Sequence, residues 1–394
     1  LLDVVRVDAF AGDGATHQAA LETLGREAAA GLRERLGAIS ERLAIEREVP
    51  DVAHRRAIDD ALLVMAETDS LRARGSHDAA DQMLARADAA LAAALTEAGE
   101  SAELWLLRAR IAGKRGWLAL RTQPAGDARF AHWRTGIEHA TRAIEIEPEE
   151  ARAFEQRGLL RYWIQIMNSG PADRSTSEAI ERDLARAVEI DPTLAESWGV
   201  LSMLATRRAA FAEARHHALR AYRADAYLES VSEVLSQLVL TSIEVDDIPG
   251  ARSWCDELER RRPDSWISAR CQMLLLSFAP MPIPELRARI DSILRLAAAE
   301  PTWSLARPQL LGYAALALAR AGDGVASRQL FDSIEGPREG DLAWLEAAAL
   351  TASGEPGRAV PLLRRYIEQD PERRGWVLHR GVFSGLNQHS LERF

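Results

Sequence analysis

Residues that could do chemistry are few and scattered in this sequence. His132 and His139 stand seven residues apart on a predicted helix and share one face, beside Glu138. A metal ion would need a third ligand from elsewhere, so we interpret both as ordinary core or surface histidines. His216 and His217 are adjacent and point about 100° apart on a helix, so they cannot chelate one ion together. We expect no metal site.

Motifs of the common enzyme classes are missing. The "GDG" at residues 12–14 is too short for a phosphate-binding loop and predicts a turn. The sequence has neither a G-x-S-x-G nucleophile elbow nor an H-E-x-x-H zinc helix. We therefore expect no catalytic residue, no bound cofactor and no enzymatic activity.

The two cysteines, Cys255 and Cys271, lie symmetrically about Pro263. If Pro263 marks a turn between antiparallel helices, the two sulfur atoms lie at similar height and could meet. Two cysteines are too few for a disulfide scaffold and lack the spacing of a metal site. We favour two buried free thiols over a disulfide.

Composition indicates an all-α chain. Apolar residues make up 47% and aromatic residues only 6%, while the strong helix formers Ala, Leu, Arg and Glu dominate. The net charge of −10 is spread along the chain, so nucleic acid is not an expected partner. No apolar run reaches the roughly 18 residues of a membrane span.

The compartment is left open by the sequence. One lysine among 49 basic residues is typical of GC-rich bacterial coding. No signal peptide is present, but the sequence begins at Leu1 rather than Met, so a segment removed upstream is an alternative. Both the cytoplasm and an extracytoplasmic space of a bacterium stay open.

Prolines that close helical stretches recur along the chain, and their spacings indicate an underlying period of 34 to 38 residues. Two helices and two turns fill that length. Within a unit, a large residue stands early in the first helix and alanine stands near the start of the second. The predicted units are 53–99, 102–149, 150–193, 194–227, 229–264, 265–300, 301–337 and 338–371.

Residues 196–222 show this pattern best. Trp198 begins one helix, and Ala214 and Ala221 are seven apart on the next, so small side chains let the helices approach closely. The pattern resembles the tetratricopeptide repeat, a 34-residue helix-turn-helix unit, across about 53–371. The resemblance implies a right-handed α-solenoid of about eight helical hairpins that binds protein segments on its concave face.

The two ends of the chain differ from the repeats. Residues 1–50 predict a short α/β strand-helix-strand segment, which is either a cap or similar to part of a bacterial TolB-like domain. Residues 51–371 form the predicted repeat array. Residues 372–394 lose the helical period, and we expect Trp376 and Phe383 to fold over the last hairpin as a cap.

Two neighbouring units carry extra residues, around "GWLALRTQPAGDARFAHW" and "MNSGPADRSTSE". We expect both insertions to lie between the helices of their units and to project from one edge of the solenoid. Such loops either carry recognition or reflect tolerated variation in length.

Trp163 falls at a first-helix position that faces the concave groove in the family resembled. Aromatic and arginine side chains on such a surface favour binding of protein segments. An ordinary solvated face with partly buried rings is the alternative, and we interpret Trp105, Trp198 and Trp344 as core. The predicted partner-binding residues are Arg110, Lys114, Arg152, Tyr162, Trp163, Met203, Arg207 and Leu240.

These features predict a non-catalytic scaffold that binds a partner protein or an extended peptide segment. One alternative is the sensor or docking region of a larger bacterial signalling protein, a kinase or a cyclase. Another is a structural subunit that self-associates or joins a large complex, because open-ended solenoids can stack end to end.

Overall fold

The computed structural model describes residues 52–123, 126–168, 174–225, 231–263, 265–278, 281–298, 303–337, 339–369, 371 and 373–379. These residues contain seventeen α-helices, one short 3-10 helix and no strand. The predicted strand-helix-strand segment at 1–50 lies outside the described residues. The α-helices are α1 (Val52–Ala73), α2 (His77–Ala98), α3 (Ala102–Thr122), α4 (Ala131–Ile146), α5 (Ala151–Met167), α6 (Arg174–Ile190), α7 (Ala195–Arg207), α8 (Phe211–Ala224), α9 (Val231–Glu244), α10 (Ile248–Arg261), α11 (Trp266–Leu276), α12 (Ile283–Ala297), α13 (Trp303–Arg320), α14 (Gly324–Asp332), α15 (Asp341–Ala352), α16 (Pro356–Gln369) and α17 (Arg373–His379).

The first sixteen helices pair in chain order into eight hairpins. We number the hairpins 1 to 8, from α1 with α2 to α15 with α16, and call the odd-numbered helices first helices. Each first helix contacts the next first helix, and each second helix contacts the first helix that follows it. This arrangement confirms the predicted all-α solenoid of eight stacked hairpins.

Alanine occupies the sites where neighbouring helices approach most closely. On α8, Ala214 and Ala221 are fully buried, and the hydroxyl of Ser202 on α7 donates to the carbonyl oxygen of Ala214 at 2.8 Å. A larger side chain at either alanine would force the two helices apart. Alanine is also fully buried at helix contacts of other hairpins, namely Ala143, Ala187, Ala251, Ala314, Ala347 and Ala359. Ala326, which the repeat pattern places at such a contact on α14, is only partly buried.

Four hairpins share one turn between their helices. In hairpins 4, 5, 7 and 8 the second residue after the first helix has a positive φ, between 59° and 91°. Gly322 and Gly354 take this conformation without strain, whereas Ala209 and Asp246 take it at a cost. The side chains of Asp247 and Asp323 then accept from backbone N–H groups of the second helix and cap it. The turn explains the regular spacing of these hairpins.

The predicted insertions in hairpins 2 and 3 are largely helical, which corrects their placement between helices. Helix α3 continues to Thr122, and α4 begins already at Ala131. Helix α5 continues to Met167, and α6 begins at Arg174. In hairpin 2 the added residues include Trp117, Phe130 and Trp133, whose rings pack on one another, and the sequence pattern alone does not show this contact.

The prediction of two free thiols is wrong. Cys255 on α10 and Cys271 on α11 form a disulfide, with their Cα atoms 5.8 Å apart. Pro263 lies between the two helices, so the cysteines, eight residues before and after it, stand side by side on neighbouring helices. This is the arrangement in which the sequence allows the two sulfur atoms to meet. Because α10 and α11 belong to hairpins 5 and 6, the bond joins neighbouring repeats.

The start of the C-terminal tail is helical rather than irregular. Helix α17 contacts α16, and its Val377 is fully buried. The guanidinium of Arg373 lies over the ring of Tyr366 on α16, 4.5 Å from the ring centroid. The predicted capping side chains of Trp376 and Phe383 lie outside the described residues.

Candidate functional site

Two adjoining cavities open on the surface formed by the first helices of hairpins 1 to 4, which we call the first-helix surface. It is the surface that the sequence predicts to be concave. The cavities have volumes of 290 and 540 Å³. Arg110, in the middle of α3, lines both, so the two cavities meet there, and we call them together the groove along α1, α3 and α5.

The smaller cavity has an aromatic wall. Trp117 on α3 and Trp163 on α5 meet edge to face, with ring centroids 4.9 Å apart, and both line the cavity. Trp117 also contacts the fully buried Trp133 of α4, at 5.2 Å. Trp163 is partly buried in this cluster, so its ring both packs against the core and faces the groove.

Two glycines in α3 make room for this wall. The indole N–H of Trp133 donates to the carbonyl oxygen of Gly113 at 3.1 Å, although that oxygen lies inside a helix. A Cβ atom at Gly116 would overlap the indole ring of Trp133. The missing side chain of Gly116 therefore lets Trp133 lie directly on the α3 backbone, whereas Gly113 makes room for Gln156 and Leu160 of α5. Trp133 in turn supports Trp117.

Polar groups line the rest of the smaller cavity. The ammonium of Lys114 binds both carboxylate oxygens of Asp69 on α1, at 2.7 and 2.8 Å. Gln156 of α5, Glu196 of α7 and, on α1, Thr68 and Arg72 also line it. The ion pair joins hairpins 1 and 2 and fixes the position of Lys114, leaving its charge largely compensated.

The larger cavity contains two arginines without such compensation. Among the described residues, the guanidinium groups of Arg110 and Arg152 make no hydrogen bond or ion pair closer than 4 Å. Burial and the nearby charge of Arg152 lower the pKa of Arg110, although Glu155 opposes the shift. Arg110 is therefore partly desolvated without a close ion pair, and an anionic group that reached it would gain a charge-assisted hydrogen bond. The same cavity also carries negative charge, from Glu103, Glu147 and Glu150.

Glu155 lies beside these arginines and is held from the next hairpin. Its carboxylate accepts a hydrogen bond from the hydroxyl of Ser197 on α7, at 2.9 Å. Burial raises the pKa of Glu155, and the hydrogen bonds from Ser197 and the charge of Arg152 oppose that rise. The carboxylate thus belongs to the contact between hairpins 3 and 4 more than to the open groove.

The remaining predicted partner-binding residues line neither cavity. Tyr162 is buried between α5 and α7, where its hydroxyl donates to the sulfur of Met203 at 3.2 Å. Burial raises the pKa of Tyr162 to about 12, against the opposing charge of Arg207. Arg207 is the last residue of α7, and Leu240 is partly buried on α9. Half of the eight predicted residues therefore line the groove, namely Arg110, Lys114, Arg152 and Trp163, and the other four lie outside it.

One histidine of each pair takes a packing position. His139 is buried against the ring of Trp105, with centroids 5.2 Å apart, and burial lowers its pKa. His217 stacks on Trp198 at 5.3 Å, and burial lowers its pKa as well. Within the described residues no group of three or more His, Cys, Asp or Glu side chains could hold a metal ion. None of the described helices is long and apolar enough to cross a membrane.

Sequence reasoning missed part of the groove. Trp117 lies in a stretch that predicts an insertion, and Asp69 is 45 residues away from the lysine that it binds. Gln156 and Glu196 stand at ordinary helix positions. Only the period of the repeat could have found them, because corresponding positions of successive first helices line one surface.

Comparisons with known proteins report similarity of fold. No protein-family model and no curated protein sequence matches the chain. Among solved structures, YrrB, a TPR protein with an unusual peptide-binding site, is 13% identical and covers 61% of this chain and 97% of its own, with a TM-score of 0.32. A tetratricopeptide repeat protein from Parabacteroides merdae is 12% identical, covers 70% of this chain and 98% of its own, and has a TM-score of 0.41. Yeast Tom70 is 13% identical, with coverages of 95% and 75% and a TM-score of 0.40. These neighbours are tetratricopeptide repeat proteins or share their fold, which is consistent with a chain of degenerate repeats of this kind.

Proposed function

We propose that this chain is a non-catalytic scaffold that binds an extended segment of a partner protein along the first-helix surface of hairpins 1 to 4. The observation that carries the proposal is the groove formed by two cavities that meet at Arg110. It combines aromatic and apolar surface with charges of both signs, and the guanidinium groups of Arg110 and Arg152 make no ion pair closer than 4 Å there. Such surfaces suit binding of protein segments better than binding of a small molecule.

The two cavities favour different side chains of a partner. The smaller cavity presents the ring of Trp163 and suits an apolar or aromatic side chain. The larger cavity presents Leu62, which is 42% exposed, next to Arg110 and Arg152. A carboxylate there would gain charge-assisted hydrogen bonds from a guanidinium that is already partly desolvated. The expected partner segment therefore carries an acidic residue near an apolar one.

Photocrosslinking in a native extract tests this proposal. A benzophenone amino acid placed at Leu62 or Arg152 lies in the groove, whereas one at Glu138 or Arg182 lies on the exposed face of a second helix in hairpin 2 or 3. We expect one shared adduct from the two groove positions and none of it from the outer positions. Equal labelling of that protein from all four positions would contradict binding in the groove.

A further inference from the structure

Helix α17 reaches back to a hairpin far away in the sequence. A Cβ atom built on Gly375 would lie 3.8 Å from the carbonyl oxygen of Arg208 and 3.9 Å from the Cβ atom of Ala209. Those two residues form the turn between α7 and α8, in hairpin 4. The C-terminal helix therefore touches a turn that precedes it by four hairpins.

The other contact of α17 is with the end of the array. Val377 is fully buried in the core cluster built from α13, α15 and α16. Arg373 lies over the ring of Tyr366, as described above. Helix α17 is thus anchored on hairpin 8 by an apolar side chain and a cation–π contact, while Gly375 faces hairpin 4.

The hairpins between these two contacts form an unbroken series. The first helices α7, α9, α11, α13 and α15 contact one another in order. Near the turns, the guanidinium of Arg320 at the end of α13 donates to the carbonyl oxygen of Ser277 at the end of α11, at 3.2 Å. The charge of Glu244, at the end of α9, also acts on Arg320. The first helices converge at this edge, which brings hairpin 8 round towards hairpin 4.

We propose that α17 is an intramolecular strap that closes hairpins 4 to 8 into a ring at their turn edge. Closure leaves the groove along α1, α3 and α5 open, and hairpin 4 belongs both to the first-helix surface and to the ring. The strap is a contact of the chain with itself. It stands whether or not the groove binds a partner.

A designed disulfide tests the closure directly. Cβ atoms of bonded cysteines lie about 3.8 Å apart, so Ala209→Cys with Gly375→Cys matches the geometry of a disulfide. We expect both new thiols to disappear on mild oxidation of the folded full-length protein, and peptide mapping to find them joined to each other. The control is Ala209→Cys with Gly357→Cys, because Gly357 is exposed with no atom near its Cβ position. Two free thiols in both folded variants would overturn the proposal.

Hydrogen exchange keeps the test decisive if the cysteine variants fail to fold. Val377→Asp places a charge in the buried anchor of the strap, whereas Arg374→Asp changes an exposed residue of the same helix. We expect the amides of Ala209 and Ala210 to exchange at least tenfold faster in Val377→Asp than in Arg374→Asp, as the turn loses its cover. Equal exchange in both variants, with unchanged circular dichroism, would show that α17 does not hold hairpin 4.

Discussion

Replacement of Gly116 by alanine tests the contact that supports the aromatic wall. The new Cβ atom would overlap the indole ring of Trp133, which is fully buried and cannot move aside without displacing Phe130 or Trp117. Overpacking of a core costs about 1–3 kcal/mol. Loss of the hydrogen bond from Trp133 to Gly113 adds about 1 kcal/mol. The gain in helix propensity from glycine to alanine returns about 1 kcal/mol.

The expected net effect is a loss of about 2 kcal/mol in the free energy of unfolding, measured by urea denaturation. Gly199→Ala is the matched control, because Gly199 also lies inside a first helix and its added Cβ would meet Val234 at an ordinary 3.7 Å. That variant should gain about 0.5–1 kcal/mol. If Gly116→Ala gains stability by the same amount, Trp133 does not lie on the α3 backbone and the account of the wall is wrong.

Three further predictions concern buried charge and the disulfide. Asp183→Asn should lower the free energy of unfolding by about 3 kcal/mol, because two arginines lose their buried carboxylate partner. The control Arg186→Gln breaks exposed ion pairs and should cost under about 1 kcal/mol. Equal denaturation midpoints for the two variants would contradict this prediction. Reduction of the bond between Cys255 and Cys271 should cost about 3 kcal/mol, and an unchanged melting temperature with a phosphine reductant would count against it. Glu155→Gln should be more stable than the wild type at pH 7, since burial raises the pKa of the folded carboxyl group and its ionisation opposes folding. That advantage should shrink as the pH falls towards 4.5, the ordinary pKa of the carboxyl group. A difference in melting temperature between Glu155→Gln and the wild type that stays constant across this pH range would refute the assignment.

The repeat architecture could be predicted from the sequence because its signals are local and recurrent. A proline or glycine follows many of the helices closely, and alanine stands where two helices cross closely, as Ala214 and Ala251 do. A period of 34 to 38 residues then fixes the number of hairpins. These constraints repeat eight times, so a degenerate copy does not hide the fold.

The groove could be predicted only in part because its geometry depends on contacts between hairpins. Arg110 and Trp163 were found from their positions on first helices. Tyr162 was expected in the groove but points into the contact between α5 and α7, one residue away from Trp163. Neighbouring residues on a helix point about 100° apart, so a shift of one position in a degenerate repeat moves a side chain from the surface to the core.

The contacts of α17 and the disulfide were missed for a related reason. Gly375 meets residues about 165 positions earlier, and the period of the repeat contains no information on closure of the array. The disulfide depends on whether two sulfur atoms at similar height face each other, which spacing about Pro263 permits but does not require.

The most direct test of the central claim uses the partner protein recovered by crosslinking from the groove. Its affinity for an Arg110→Gln variant is compared with its affinity for the wild type. Arg110 is partly buried and makes no ion pair closer than 4 Å, so its removal should leave the melting temperature unchanged or slightly higher. Titration calorimetry should show an affinity at least about tenfold weaker, equivalent to about 1.4 kcal/mol, because a charge-assisted hydrogen bond to the partner is lost. The exposed Arg252→Gln on α10 should bind like the wild type. Equal affinities for Arg110→Gln and Arg252→Gln would contradict a binding groove centred on Arg110.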